Sequence, residues 1–441
     1  MSSPTVSTKL RELATQASDH PDRVFTNLAH HLDVEFLREA YRRTKKNSSP
    51  GVDGVTAQAY AEHLDENLRA LHERMRSGQY QAPPVKRKWL DKPDGGRRPI
   101  GMPAFEDKIV QRAVAMLLEQ IYEHDFHDFS YGFRRQRRPH DALQELREQC
   151  GQTNTHWIID ADVSGYFDAI DHSHLREFLK QRVNDGSIMR FIGKWLNAGV
   201  LDEGIHYHPE TGSPQGGVIS PILANIYLHY VLDVWFVDEV QPRLQGRAFI
   251  IRFADDFVIG CEYEEDARRI MAVLPKRFSR FGLTIHPEKS HLIAFGRPRV
   301  AFSSRSNQNR QSPGSGNGTF DFLGFTHYWA RSRRGYWVIK RRTAGKRLRR
   351  TSHALWEWCR TNRHMPLPQQ HKRLRQKLSG HYNYFGVRAN YAQLAVILRQ
   401  AERAWHYWLN RRRRHPDYNW EEFRHLLKTY PLPKPKIVHS I

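Results

Sequence analysis

The stretch FIIRFADDFVIG, Phe249 to Gly260, places two adjacent aspartates, Asp255 and Asp256, between two short apolar runs. The flanks are rich in Phe, Ile and Val and read as β-strands, with the polar pair at the tip of a hairpin. Two carboxylates side by side raise each other's proton affinity unless a cation neutralises them. At the end of an apolar hairpin such a pair suits a hard, oxygen-seeking ion such as Mg²⁺. Read alone, the same dipeptide also fits a solvated turn.

A second carboxylate cluster lies upstream, in WIIDADVSGYFDAI from Trp157 to Ile170, which reads as a strand running into a turn. Within it Asp160 and Asp162 share one strand face. One of the two can meet Asp255 and Asp256 and complete a three-carboxylate site for two metal ions, suited to in-line displacement at phosphorus. Otherwise Asp160 and Asp168 read as capping or hydrogen-bonding residues.

Outward from these clusters, residues 1–80 read as polar helices ending in the turn-rich NSSPGVDGVT. The basic PPVKRKWLDKPDGGRRPIGMP, Pro83 to Pro103, reads as a hairpin around DGG. Apolar residues at Ile109, Ala113, Met116, Leu117 and Ile121 mark a helix. The glycine-rich TGSPQGGVISP, Thr211 to Pro221, leads into an apolar helix. Residues 264–281 read as helix, and GLTIHPEKSHLIAFG, Gly282 to Gly296, as strand, turn, strand. Residues 303–318 form a low-complexity loop before FDFLGF, Phe320 to Phe325.

The chain has 441 residues, 39% of them apolar, enough for two or three domains with their own cores. It lacks a run long enough for a membrane span and a secretory leader pattern. Cys150, Cys261 and Cys359 form no CxxC pair, which points to a reducing compartment such as the cytoplasm, and away from a disulfide framework or a cysteine zinc site. The formal net charge is +22. Residues 341–441 alone carry 23 Lys/Arg against 5 Asp/Glu. That concentration is self-repelling, and a polyanion relieves it. In the same tail Leu394, Leu398, Ala401, Trp405 and Trp408 mark a core-facing helix.

The order WIIDADVSGYFDAID, GSPQGGVISPILANIYL, RFADDFVIG, GLTIHPEKS and FDFLGF resembles the palm of a reverse transcriptase, and more narrowly the group II intron reverse transcriptase/maturase family. SYGFRRQRRPHDAL, RRPIGMPAFEDKIVQ, LSGHYNYFGV and PLPKPKIVHSI extend the resemblance over about residues 40–441. It implies an α+β right-hand polymerase followed by an α-helical thumb and maturase domain X. The expected divisions are an N-terminal extension and start of the fingers at 1–80, fingers at 81–155, palm at 156–330, and thumb with domain X at 331–441.

Carried over by residue, the resemblance makes Asp162 the third catalytic carboxylate, because the aromatic Phe167 stands five positions on; from Asp160 the same step lands on Gly165. The metal set is then Asp162, Val163, Asp255 and Asp256, holding two Mg²⁺ ions, with Mn²⁺ as an alternative. Phe167 leaves no room for a 2′-hydroxyl and selects dNTPs. Gln215 and Gly216 contact the nucleotide, Arg97 and Arg98 reach its triphosphate, and Lys289 lies near the pyrophosphate as a proton donor. Leu323, Gly324 and Phe325 form the primer grip. In the tail, Arg347, Arg349, Arg350, Lys372, Arg373, Arg411 and Arg412 are expected to pair with RNA phosphates. The aromatics His381, Tyr382, Tyr384 and Phe385 suit base stacking, whereas Trp405 and Trp408 suit core packing.

Two positions depart from the family pattern: Phe253 stands where Tyr is usual, and Arg135, Gln136 and Pro139 replace a smaller glycine-containing turn. The resemblance implies partners: an RNA template, a DNA or RNA primer, dNTPs and a structured group II intron RNA, with no membrane. Without a Cys/His-rich segment after domain X, no HNH endonuclease is expected. Two other functions fit the same residues. One is a domesticated polymerase serving phage defence, CRISPR spacer acquisition or DNA repair. The other is a non-catalytic RNA-binding splicing cofactor, against which the intact aspartates argue.

Overall fold

The computed structural model describes residues 5–91, 96–202, 205–207, 211–212, 216–298, 318–412 and 418–441. The N-terminal region is helical as read, with helices Val6–Asp19, Val34–Arg43, Ala57–Glu62 and Leu64–Arg76. Polar side chains cap the first three of these: Asp33, for one, accepts the Phe36 N–H at 2.8 Å, as an N-cap should. Helix Phe105–Asp125 is buried nearly all round, which is why its apolar stripe is so wide.

Strands Val85–Asp91 and Arg97–Met102 pair antiparallel and form the basic hairpin. Asp94 and Gly95 of its DGG turn lie outside the described residues. Strand Val200–Asp202 runs parallel to the first of these and pairs with Ile205–Tyr207, extending this small sheet.

The central sheet has four strands in the order His291–Ala294, Trp157–Ala161, Asp256–Cys261, Ala248–Phe253, all antiparallel. Both faces are apolar, because both are covered. Ile159, Ile250, Phe257 and Ile259 join the core shared with the N-terminal helices. Ile158, Phe249, Ile251 and Val258 join a second core built with helix Pro139–Gln152 and the C-terminal helices. Alternation along a strand assigns successive residues to opposite cores.

The segment read as strand, turn, strand holds strands Thr284–Ile285 and His291–Ala294, which pair not with each other but with Val163–Ser164 and Trp157–Ala161. A three-stranded sheet, Phe320–Phe322, Phe325–Arg331 and Trp337–Thr343, follows. The chain then becomes helical: Gly345–Thr361, Leu367–Phe385, Tyr391–Leu409 and Trp420–Thr429. This is the right-hand polymerase architecture, α+β, with a helical C-terminal region. Trp405 is buried and its indole N–H donates to Gln370 Oε1 at 2.8 Å, while Trp408 is half-buried. Among the described residues no helix is long and apolar enough to cross a membrane.

Candidate active site

The hairpin closes with Phe253 opposite Asp256, leaving Ala254 and Asp255 as its two-residue turn. Ala254 adopts a φ of 59°, a left-handed conformation that a non-glycine residue holds only when its surroundings enforce it. Those surroundings are explicit. Arg252 is fully buried and its Nη1 donates to the Ala254 carbonyl at 3.1 Å and to Asn225 Oδ1 at 3.1 Å. Its Nε donates to Asp233 Oδ1 at 2.8 Å, and Asp233 is itself fully buried. Asn225 Nδ2 donates to the Gly132 carbonyl at 2.5 Å. A Cβ on Gly132 would come within 2.1 Å of the Ala254 nitrogen, so only glycine lets this loop back the hairpin.

Asp233 ends a π-helical turn, His229–Asp233, in the long helix that follows the glycine-rich loop. Such turns re-aim side chains within a helix and recur at functional sites. Sequence reading missed Arg252, Asp233, Asn225 and Gly132 as parts of the site. The available signal was polarity inside otherwise apolar elements, since buried charge demands a partner.

The pairing of strand Trp157–Ala161 with strand Asp256–Cys261 ends at Ala161 opposite Phe257, one residue short of Asp162 and Asp256, and the Asp162 carboxylate is among the charges that raise Asp256. Asp162 is held by its backbone: its N–H donates to Ser290 Oγ at 3.2 Å and its carbonyl accepts the His286 N–H at 2.8 Å. Lys289 Nζ lies 3.5 Å from Asp162 Oδ2, with both side chains about half exposed or more. An exposed pair of this kind is worth about 1 kcal/mol or less, so the ammonium is a displaceable countercharge. Val163 is buried opposite Ile285, so only its backbone can face a ligand.

Asp256 is pushed up to about 7, first by loss of solvent and then by Asp160 and Asp255, against a pull from the Leu323 N–H. Asp160 is likewise pushed up to about 7 by burial, by Asp321 and by Asp162. Asp160 therefore belongs to the acidic cluster electrostatically, where sequence reading gave it a capping or hydrogen-bonding role. Among the described residues no three His, Cys, Asp or Glu side chains are gathered into a ready-made metal cage. The donor chemistry nonetheless fits a hard divalent cation: carboxylate oxygens in excess, with one exposed ammonium as nearby countercharge.

Phe167 lies half-buried on a one-turn helix, Tyr166–Asp168, entered through Gly165 at a φ of 54°. The Tyr166 hydroxyl anchors the turn to the Ala224 carbonyl at 2.5 Å. Gly212 packs against it, its Cβ position 3.0 Å from the Asp168 Cα. Further along, Gly216 has a φ of 112°, and a Cβ there would meet the Gly101 carbonyl at 2.4 Å. The glycine-rich loop thus ties the turn bearing Phe167 to the strand bearing Arg97 and Arg98. Arg97 is exposed, its Nε 3.8 Å from the still more exposed Asp91. Arg98 stands opposite Leu90; its side chain, like the whole of Gln215, lies outside the described residues, as does most of the 303–318 loop.

Leu323 and Gly324 form a turn with φ values of 50° and 80°. Tyr384 donates its hydroxyl to the Leu323 carbonyl at 3.0 Å, and the Gly324 carbonyl accepts the Ala344 N–H at 3.0 Å. Phe325, expected in the primer grip, is fully buried against Tyr384 and Phe385, so it supports the turn from below. In the tail Arg347, Arg349, Arg350, Lys372, Arg373 and Arg411 are exposed. Arg412 is instead half-buried and donates to the carbonyls of Arg363 and Met365, a cross-link between helix ends. Of the aromatics expected to stack on bases, Tyr382 and Phe385 are buried.

A hairpin with twin carboxylates, a third acting on Asp256 from just beyond the neighbouring strand, and a buried charge network behind is the arrangement of a nucleic-acid polymerase palm. A model of the family described as reverse transcriptase (RNA-dependent DNA polymerase) matches residues 90–327. Protein YkfC of Escherichia coli (strain K12) is 40% identical over 288 residues, covering 58% of this chain and 75% of that protein. The group II intron-encoded protein LtrA of Lactococcus lactis subsp. cremoris is 35% identical over 224 residues, 50% of this chain but only 37% of LtrA. The putative COX1/OXI3 intron 2 protein of Saccharomyces cerevisiae is 34% identical over 200 residues, 44% of this chain and 23% of that protein. The chain belongs to the reverse transcriptase family, in its group II intron reverse transcriptase/maturase branch, and is an RNA-directed DNA polymerase.

Proposed function

We propose that this chain extends a primer with dNTPs on an RNA template using two Mg²⁺ ions, and that its basic tail docks a group II intron RNA to assist splicing and retrohoming. The observation that carries the reading is the pairing of Ala161 with Phe257, the residues next to Asp162 and Asp256, with the Asp162 charge acting on Asp256 beside Asp255. Bound at these carboxylates, two divalent ions supply a lowered pKa for the primer 3′-hydroxyl and neutralisation of the departing pyrophosphate.

The chain's own groups do the rest. Asp162, Asp255 and Asp256 hold the cations, with the Val163 backbone beside them. Lys289, released from Asp162, turns to the pyrophosphate. Phe167 excludes the 2′-hydroxyl of the incoming nucleotide, and Gly216 lets backbone approach it. Arg97 and Arg98 meet the triphosphate, and the Leu323–Gly324 turn seats the primer end.

Primer extension on an RNA template with dNTPs and Mg²⁺ tests the polymerase, comparing wild type with Asp255→Ala. The expected result is cDNA from the wild type and none from the variant; no cDNA from the wild type sinks the reading. Splicing of a group II intron RNA, measured with the same two proteins, tests the tail. Assistance retained by Asp255→Ala is expected, because docking and polymerisation use different surfaces.

A further inference from the structure

The thirty-five residues from Phe322 to Trp356 hold ten Lys/Arg and no Asp/Glu. The ion pairs that flank this stretch along the chain are Lys289–Asp162 and Arg360–Glu357; among the described residues none falls inside it. Arg341 is turned inward, donating to the Leu143 carbonyl at 2.9 Å. Much of the remaining charge lies on the ribbon formed by strands Phe325–Arg331 and Trp337–Thr343. One ribbon face is buried through Phe325, His327 and Ile339. The other face carries Arg342, which is exposed.

The ribbon tip is a built turn. The Ser332 N–H donates to the Tyr336 carbonyl at 2.7 Å and Gly335 adopts a φ of 83°. It presents Arg333 and Arg334, both exposed, beside Tyr336, whose side chain is 66% exposed. Behind them the Arg331 guanidinium lies 5.3 Å over the Trp337 ring. An aromatic ring held out to solvent between unpaired guanidinium groups is a stacking platform with phosphate donors at its sides.

The geometry points to this tip as a binding surface for single-stranded RNA, separate from the carboxylates where the primer terminus sits. Separateness follows from length. The Leu323–Gly324 turn, in contact with Asp256, closes one end of the ribbon, and seven strand residues at about 3.3 Å each put the tip about 23 Å further on. A primer terminus at the carboxylates cannot reach it. Single-stranded RNA fits because the tip offers a ring face to an unstacked base, and a duplex keeps its bases covered. The inference rests on the RNA-directed reading above and names the surface through which a structured RNA is held by its unpaired loops.

The test uses the full chain and poly(U) RNA, with affinity measured against salt. Arg333→Gln with Arg334→Gln lowers the slope of log K against log salt by about 1.4, at about 0.7 per lost phosphate contact. Tyr336→Ala weakens binding at least about fivefold and Tyr336→Phe restores it, since stacking needs the ring and not the hydroxyl. Primer extension on a short oligonucleotide template stays at the wild-type rate in every variant. An unchanged slope, or a Phe variant as weak as Ala, overturns the proposal. So does duplex DNA losing as much affinity as poly(U), or extension falling in step with binding. A wild type that binds poly(U) through this tip yet makes no cDNA refutes the polymerase reading and leaves the surface standing.

Discussion

Arg252 and Asp233 are both wholly buried, and the guanidinium of one grips the carboxylate of the other while also holding the carbonyl of Ala254. The hairpin that carries Asp255 and Asp256 therefore owes its shape to a charge pair behind it. Removing one partner leaves the other charged and dry, which costs about 3–5 kcal/mol. Arg252→Met or Asp233→Leu should each lower stability by that amount in urea denaturation, and the double variant should recover most of it. Arg252→Lys should fold better than Arg252→Met yet remain a poor polymerase, because an ammonium cannot reach Asp233, Asn225 and Ala254 together. Equal losses in the single and double variants would show that the pair is not coupled.

Gly132 and Gly216 are tighter constraints on activity than their size suggests. A methyl on Gly132 overlaps the Ala254 nitrogen at 2.1 Å, and one on Gly216 overlaps the Gly101 carbonyl at 2.4 Å. Backbone must move in either case, and a misplacement of about 1 Å can cost roughly a hundredfold in rate. Gly132→Ala and Gly216→Ala should each lose about that factor in primer extension. Gly151→Ala, with no heavy atom within 4 Å of the new methyl, is the matched control and should be unaffected.

Asp107 supplies a pH dependence of folding away from the carboxylate site. It is buried, accepts the Tyr80 hydroxyl at 2.7 Å, and is pushed up to about 7, chiefly by burial. A carboxyl raised in the folded state keeps its proton there while the unfolded chain loses it, so the contribution is full below about pH 4 and fades as pH rises through 7. Each tenfold change in proton affinity is worth about 1.4 kcal/mol, so the loss amounts to at most about 4 kcal/mol. Asp107→Asn keeps the acceptor for Tyr80 and should flatten the stability–pH curve between these limits. Parallel curves for wild type and variant would rule out the assignment.

The hairpin at Asp255–Asp256 was legible because strand alternation and a polar tip are local signals. The facing carboxylate was legible only as one of Asp160 and Asp162, and resemblance chose between them. In the structure Asp160 and Asp162 both act on Asp256, which draws the two into one electrostatic cluster. That effect depends on burial beside strand His291–Ala294, which no local pattern records. The segment read as strand, turn, strand left its partners open, and Thr284–Ile285 and His291–Ala294 pair with two different strands: period gives strand character and not the partner. Charge in the tail was legible as a total. Which arginines face solvent was not, and Arg412 is spent on carbonyl groups.

Phe167 offers the sharpest test of sugar selection. The turn that carries its ring is fixed by neighbours: Gly165 turns the chain, Tyr166 is anchored to Ala224, and Gly212 braces Asp168. Truncating a half-buried ring on so fixed a turn should remove the obstacle without moving the backbone that carries it. Phe167→Ala should therefore leave dNTP incorporation close to wild type and admit rNTPs. The ratio of kcat/KM for dNTP over rNTP should fall by roughly ten- to a hundredfold, with Phe167→Val between the two. If the ratio is the same in all three proteins, the ring is not the gate. If dNTP incorporation collapses with it, the ring supports the sugar of the correct nucleotide as well as excluding the wrong one.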